Sequence, residues 1–252
     1  VSERIDPRYH QIGSSWSLAR RLLYPFAKAL VVQTNSVTEW ADRVVLHYRV
    51  RVVPNFVRAV PGPKESTTEE ERIQPLILAV GRLDRQKGHD VLIRAFARTG
   101  AGKNGWHLAI LGDGPERSNL EKLASDLGIG NAVSLPGIVK EPADWLYKSD
   151  FFVLSSRYEG FPNALLEAMA CGCAVIAADC PSGPADIIRH DENGLLVPTE
   201  NIEALSAAMV RLMGDGDLRT RLGHKALEVR SRFSQGKIMA KWDDLIESVC
   251  SL

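Results

Sequence analysis

From residue 76 onward, short and wholly apolar runs alternate with stretches of helical periodicity. Few folds accept that pattern. Leu76-Ile77-Leu78-Ala79-Val80 is apolar at every position and stops at Gly81. Similar runs lie at 107–111, 133–135, 151–154, 174–177 and 195–197. A strand with one wet face alternates apolar and polar residues; one that is apolar throughout is covered on both faces. A helix follows the first run from about Asp90, with Val91, Leu92, Ala95 and Phe96 on one face. Helical stretches near 116–127, 163–171, 184–189 and 201–213 separate most of the others. Apolar strands spaced by helices predict an α/β fold with a doubly wound, Rossmann-like parallel sheet over residues 76–234.

The first 57 residues read differently. A basic helical stretch from Ser17 to Lys28, broken by Pro25, leads to a strand at 29–32. A helix at 36–45 and a strand at 50–53 follow, ending at Pro54-Asn55. One β/α unit and one strand are too little to close a sheet, and an open edge is a liability. Residues 1–57 are therefore expected to be the C-terminal remnant of a second α/β domain. Residues 58–75, with three prolines and Glu69-Glu70-Glu71, read as a linker. In 235–252, Ile238, Trp242, Leu245, Ile246 and Val249 recur at helical spacing, and this helix is expected to cross back to the first unit. The chain opens on Val1 rather than Met, which reads as the mark of a longer parent.

Charge and cysteine content narrow the function classes. Lys and Arg number 31 against 31 Asp and Glu, without the basic excess usual in nucleic-acid binders. No run of 18 apolar residues is present, nor a signal peptide. The four cysteines form no CxxC pair, so zinc is not expected, and free thiols fit a cytoplasmic protein. Cys171 and Cys173, in a run of small residues, read as buried free thiols. The six histidines show no triad or ligand spacing.

In an open parallel sheet, ligands bind outside the carboxyl ends of the strands. After the first strand, Gly81 permits a sharp turn and Gly88 opens the next helix. Arg82 and Lys87 then stand near a helix N-terminus, a place suited to a diphosphate; a solvated basic loop is the plainer reading. Gly112-Asp113-Gly114-Pro115 allows close backbone approach of a ligand, or is simply a turn before a helix. Position 117 is Arg117, so no dinucleotide fingerprint is present.

The stretch from Ser155 to Glu167 is the most informative. Gly160 and Pro162 turn the chain into a helix starting near Asn163. Free N–H groups of Phe161, Asn163, Ala164 and Leu165 are expected to face the crevice, with Phe161 and Pro162 as its wall. Glu167, one turn into the helix, can reach a ribose diol, or merely answers the helix dipole. Glu159 sits at the mouth of the site, or is a solvated loop acid. Ser182 and Gly183 start a further helix facing the crevice. Asp215-Gly216-Asp217 resembles a metal-holding Asp-x-Asp, but helical spacing follows it, and Asp217 reads as an N-cap.

Together these pieces resemble the C-terminal half of a family 4 glycosyltransferase of the GT-B fold, from about Val52 to Leu245. The resemblance rests on Gly-Arg…Lys-Gly at 81–88, Gly112-Asp113-Gly114-Pro115, and the Glu-x7-Glu motif from Glu159 to Glu167. It also rests on Glu167-Ala168-Met169-Ala170-Cys171-Gly172, Glu192-Asn193-Gly194-Leu195-Leu196-Val197-Pro198 and the junction Val52-Val53-Pro54-Asn55.

The resemblance implies that Arg82 and Lys87 bind the diphosphate of a nucleotide-sugar donor, with UDP-sugar the expected substrate, and stabilise it as it leaves. No cofactor or metal is implied. Gly81, Gly112, Gly114, Gly160 and backbone N–H groups at 161–165 would cradle the donor. Val139, with Gly137 and Ile138, would meet the base, Glu167 the ribose and Glu159 the sugar. Transfer of a hexose or N-acetylhexosamine would retain configuration. Pro181-Ser182-Gly183-Pro184 resembles a bacterial subset that builds surface polysaccharide on glycan or lipid-linked acceptors. Arg20, Arg21 and Lys28 would suit peripheral contact at the inner face of the cytoplasmic membrane, or belong to an ordinary amphipathic helix. The family's N-terminal glycine-rich loop has no counterpart, so the chain alone is expected to bind donor weakly and to transfer sugar poorly or not at all. A donor-binding module or nucleotide-sugar sensor needing a partner chain is the competing reading. A pyridoxal-dependent sugar phosphorylase would need a lysine that no motif supports.

Overall fold

Two parallel sheets organise the chain in the computed structural model, which describes residues 1–9, 13–58, 60, 62 and 74–251. The smaller sheet pairs β1 (Leu30–Val32) with β2 (Val50–Val52). Before β1 come helix α1 (Ser14–Leu23) and a 3-10 turn at Tyr24–Phe26, where Pro25 interrupts the helix. Between the strands, α2 covers only Thr38–Ala41 behind a 3-10 turn at Asn35–Val37, shorter than the expected 36–45. The chain leaves the helix early because Val45 turns inward onto Leu30, Val32, Val37 and Ala41.

The larger sheet has six parallel strands: β3 (Leu76–Val80), β4 (His107–Leu111), β5 (Val133–Gly137), β6 (Phe151–Leu154), β7 (Ala174–Asp179) and β8 (Leu195–Pro198). Every expected strand is present. The spatial order is β5-β4-β3-β6-β7-β8, so the winding reverses between β3 and β6. Ile77, Ala79, Phe151 and Val153 point to one face, against α3 (His89–Thr99), α4 (Arg117–Asp126), α8 (Ile202–Gly214) and α9 (Gly216–Ala226). Leu78, Phe152 and Leu154 point to the other, against α5 (Pro142–Lys148), α6 (Asn163–Ala170), α7 (Pro184–Ile187) and α10 (Val229–Arg232). These strands are apolar on both sides because helices cover both sides, the doubly wound α/β fold read from the sequence. The sequence reading did not include α5, whose seven residues are too few for periodicity to declare them.

The last helix, α11 (Gln235–Cys250), does not lie on the large sheet. Ile238 and Leu245 pack against Val31 and Val53, with Ala29, Trp242 and Val249 around them. Thus α2 covers one face of the small sheet and α11 the other. Its outer edge is also taken: Ser2 bridges Val31 in parallel, and Glu3 N donates to Val31 O at 2.9 Å. By contrast α1 buries none of its residues: Trp16, Leu22 and Leu23 are exposed along it, and Phe26 in the turn that follows. Most of the 58–75 segment, including Glu69-Glu70-Glu71, lies outside the described residues. Among the described residues no helix is long and apolar enough to cross a membrane.

The aspartate at the start of α9 corrects an expectation. Asp215, not Asp217, is the N-cap: its Oδ1 accepts from Leu218 N at 2.8 Å. An N-cap must stand outside the helix in extended conformation, and the helix already includes Gly216 and Asp217.

Candidate active site

The strand order reverses between β3 and β6, the place where an open α/β sheet binds its ligand, and the loops leaving those two strands meet there. Lys87 comes from the first loop and Glu159 from the second. Lys87 Nζ donates to Glu159 Oε1 at 2.7 Å, and Ser156 Oγ donates to the same oxygen at 2.6 Å. The Glu159 side chain is only 6% exposed and that of Lys87 21%. Glu159 is thus no solvated loop acid. It is a buried carboxylate held by one cation and one hydroxyl.

The lysine reaches it along a prepared path. Asp84 Oδ1 accepts from Lys87 N at 3.2 Å and caps the 3-10 turn Arg85–Lys87. The lysine stem then crosses Gly81, where a Cβ would come within 3.2 Å of Cγ and Cδ. Gly88 turns the chain into α3 with φ 62°, and a Cβ there would stand 2.2 Å from Ser155 O. Arg82 is placed otherwise: its side chain is 76% exposed, with Nε 3.6 Å from Asp84 Oδ2. The structure brings Lys87 and Glu159 together and leaves Arg82 projecting outward.

Gly112 and Gly114 support the β3 loop from beside it. Gly81 N donates to Leu111 O at 2.9 Å and Leu83 N to Asp113 O at 3.0 Å. A Cβ at Gly112 would fall 1.9 Å from Gly81 O, and one at Gly114 would fall 2.4 Å from Leu83 O. The backbone approaching these glycines is the neighbouring loop. At the end of β5, Gly137 has φ 89°; after it Ile138 is 84% exposed and Val139 packs against the core around Leu78 and Phe152.

At the start of α6, Phe161 is buried and meets Phe233 edge-on at 5.8 Å. The expectation for Asn163 needs correction: its N–H donates to Phe161 O at 2.9 Å and is spent within the turn. The first intrahelical bond runs from Leu166 N to Pro162 O, so the Ala164 and Leu165 N–H groups precede the ladder. Asn163 Oδ1 accepts from Asn55 Nδ2 at 2.9 Å. Glu167 lines a cavity of about 180 Å³ with Asn55, Phe56, Arg58, Asn163 and Leu166. Burial raises its pKa above the ordinary carboxylate value, against the pull of Arg58. Glu167 therefore faces the junction between the two units, one helical turn from the N–H groups of Ala164 and Leu165.

Three features were not foreseen. The first nine residues cross the site: a Cβ on Gly160 would stand 2.1 Å from Arg4 O. Asp6, fully buried, receives Ser182 Oγ at 2.5 Å and the Arg8 guanidinium at 2.7 Å. Burial pushes the Asp6 pKa up, but the bonds from Arg8 and Ser182 bring it below the ordinary value. Ser182 itself has φ 68°. Second, His89 is buried with neither ring nitrogen hydrogen-bonded among the described residues. Burial, with the nearby Lys87 charge, lowers its pKa to about 4. Third, Arg157 sits between the two loops, bonded to Asp90, Glu200 and the Arg85 carbonyl. A lone arginine in a loop gives no sequence signal for such a role. Cys171 is half-buried, and burial pushes its thiol to about 11, far from a reactive range. Among the described residues no group of three or more His, Cys, Asp or Glu converges as a metal site.

Comparison with known proteins agrees with this architecture. The model of the family Glycosyl transferases group 1 matches residues 64–229. The chain is 36% identical over 230 residues to an exopolysaccharide phosphotransferase of Streptomyces coelicolor, covering 90% of this chain and 24% of that one. It is 38% identical over 162 residues to a Campylobacter jejuni N-acetylgalactosaminyltransferase named for a diacetylbacillosaminyl-diphospho-undecaprenol acceptor, covering 64% of this chain and 44% of that one. The chain therefore spans less than half the length of either relative. A crystal structure of Anabaena HepE with UDP-glucose superposes at TM-score 0.86 and 19% identity, over all of this chain and 71% of that one, and shows the same fold. With the family model covering well over half of its length, the chain belongs to the group 1 glycosyltransferases.

Proposed function

We propose that the chain supplies the nucleotide-sugar half of a retaining glycosyltransferase that builds surface polysaccharide on glycan or lipid-linked acceptors. The observation that carries the reading is the Lys87–Glu159 contact at the reversal of the sheet, beside the start of α6. Residues 76–234 form the donor domain in this reading. Residues 1–57 are the remnant of the acceptor domain, 58–75 the linker, and 235–252 a helix returning to the first unit.

The donor is a UDP-sugar, as bound by the Anabaena protein. Its diphosphate takes Lys87 from Glu159, with Arg82 swinging in from solvent. The N–H groups of Ala164 and Leu165, at the positive end of α6, complete the cradle. Glu159, still held by Ser156, faces the sugar hydroxyls, and Glu167 faces the ribose. The bond from C1 to the diphosphate oxygen breaks and the acceptor oxygen bonds to C1 on the same face. The acceptor's proton passes to the departing phosphate oxygen. Fixed cations at that oxygen stabilise the charge it gains, the part a metal plays elsewhere.

On α1 and the turn after it, Trp16, Leu22, Leu23 and Phe26 with Arg21 and Lys28 suit contact with the inner face of the cytoplasmic membrane, while Arg20 is turned inward to Glu3 at 2.8 Å. The test of the donor reading is calorimetry of the chain with UDP, GDP and ADP, then transfer by the whole protein. Lys87→Ala and Glu167→Ala are each expected to abolish most transfer; near-normal rates in either would end this assignment. Tight donor binding by a whole protein that transfers to no acceptor would favour the sensor instead.

A further inference from the structure

The loops after β3 and β6 are joined bond by bond. Ser155 Oγ donates to Lys87 O at 2.9 Å, Arg157 N to Gln86 O at 2.7 Å, and Gln86 Nε2 to Tyr158 O at 3.0 Å. Arg157 dominates this seam. Its Nη1 reaches Arg85 O at 2.7 Å and Asp90 Oδ1 at 2.8 Å; Nη2 takes Asp90 Oδ2 at 2.8 Å and Nε takes Glu200 Oε1 at 2.6 Å. The guanidinium side chain is 17% exposed. Its pKa is raised above the ordinary arginine value, chiefly by the bond to Asp90; burial pushes Asp90 up, but Arg157 and the backbone N–H groups of Asp90 and Val91 together bring it below the ordinary value.

These partners bracket the donor loop. Arg85 and Asp90 stand on either side of Lys87 in sequence, and Arg157 itself stands two residues from Glu159. A planar fork bonded to both sides fixes the two backbones relative to each other in distance and in angle. We propose that Arg157 is a positioning residue, bonded to Arg85 and Asp90 so as to set where Lys87 Nζ meets the donor's diphosphate. It touches no substrate itself. The proposal rests on the donor reading above and names the residue that gives the Lys87–Glu159 geometry its precision. Misplacing a charged group by about 1 Å can cost on the order of a hundredfold in rate where the reaction depends on preorganised geometry.

The test compares UDP with UMP. Both carry the nucleoside, but only UDP offers the full diphosphate to Lys87. Arg157→Ala in this chain is expected to weaken UDP about tenfold while UMP stays within about twofold. Guanidinium ion at millimolar concentration should restore part of the loss, and Arg157→Lys should restore little, since an ammonium has no fork. If Arg157→Ala does not fold, the double variant Asp90→Asn, Arg157→Gln removes the inner charge pair and leaves only the solvent-exposed Glu200 carboxylate without its partner, and the same ratio is read there. A parallel loss of UDP and UMP, or no loss of either, overturns the proposal. A wild-type chain that binds none of UDP, GDP and ADP overturns the donor reading beneath it. A wild-type chain weakened by Lys87→Ala but indifferent to Arg157→Ala overturns the positioning role alone.

Discussion

Replacing Gly112 by alanine tests whether the donor loop depends on the close backbone packing beside it. Gly112 has φ 135°, a conformation L side chains rarely adopt, and its Cβ would fall 1.9 Å from Gly81 O. Real Cβ contacts do not go below 3.0 Å, so the Gly81 carbonyl must retreat by at least about 1.1 Å. That carbonyl precedes Arg82 and belongs to the glycine whose Cα the Lys87 stem crosses. Gly105 is the natural control: its φ is 84°, but nothing stands within 4 Å of its Cβ. Positive φ alone costs about 1–2 kcal/mol, and overpacking adds about 1–3. At roughly 2–4 °C per kcal/mol, Gly105→Ala should lower Tm by a few degrees and Gly112→Ala by about twice that. The sharper difference is functional. Gly105→Ala should bind UDP as the wild type does, while Gly112→Ala should lose on the order of ten- to a hundredfold. Calorimetric titration and thermal unfolding of the two variants decide it. Equal Tm and equal UDP affinity in the pair would falsify the steric reasoning.

Four further outcomes follow from the same geometry. His89 has a folded pKa of about 4 against 6.5 in an ordinary setting, so the unfolded chain binds more protons between those values. Stability should fall as pH drops from about 6.5 to about 4, by about 3 kcal/mol in all, and His89→Leu should flatten that slope in urea unfolding at pH 7, 5.5 and 4.5. Asp215→Ala should cost about 1 kcal/mol by loss of the α9 cap, while Asp217→Ala stays within about 0.5; the reverse ranking in denaturant melts would contradict the cap assignment. Gly160→Ala should drive Arg4 away and speed hydrogen exchange at the Glu3 amide, which now donates to Val31 O; unchanged protection there would show that the first residues are not held by that contact. Lys87→Ala should weaken UDP more than Arg82→Ala does, because Lys87 is already ordered, held on Glu159, and Arg82 must be ordered from solvent. Equal losses would place both cations on the same footing.

The large sheet was legible because its signal is local. Most of its strands are runs of consecutive apolar residues, β5 with Ser134 being the weakest, and each is present. Lys87 and Glu159 were legible for a related reason: each follows a strand that the pattern had already located. The rest depends on partners far away in sequence. Asp6 and Ser182 meet across 176 residues, and nothing in either neighbourhood announces the other. The pairing of Ser2 with Val31 involves too few residues to show a period. Arg157 and Asp90 look like two ordinary surface charges until the fold puts them 2.8 Å apart. The Asn163 N–H was misjudged because a tight turn at Phe161 uses a donor that a generic helix start leaves free.

The packing of α11 on β1 and β2 has a consequence for synthesis. Val31 and Val53 stay uncovered until Ile238 and Leu245 arrive, and Lys28 Nζ reaches Val249 O across 221 residues of chain. On a ribosome adding about 5–20 residues per second, the small sheet waits many seconds with one apolar face bare. The large sheet needs no such delay, because its strands and helices emerge in order between residues 76 and 232. Of the two sheets, the one translated earlier is thus sealed later, and Val31 and Val53 are apolar surface that a nascent chain must carry until α11 emerges.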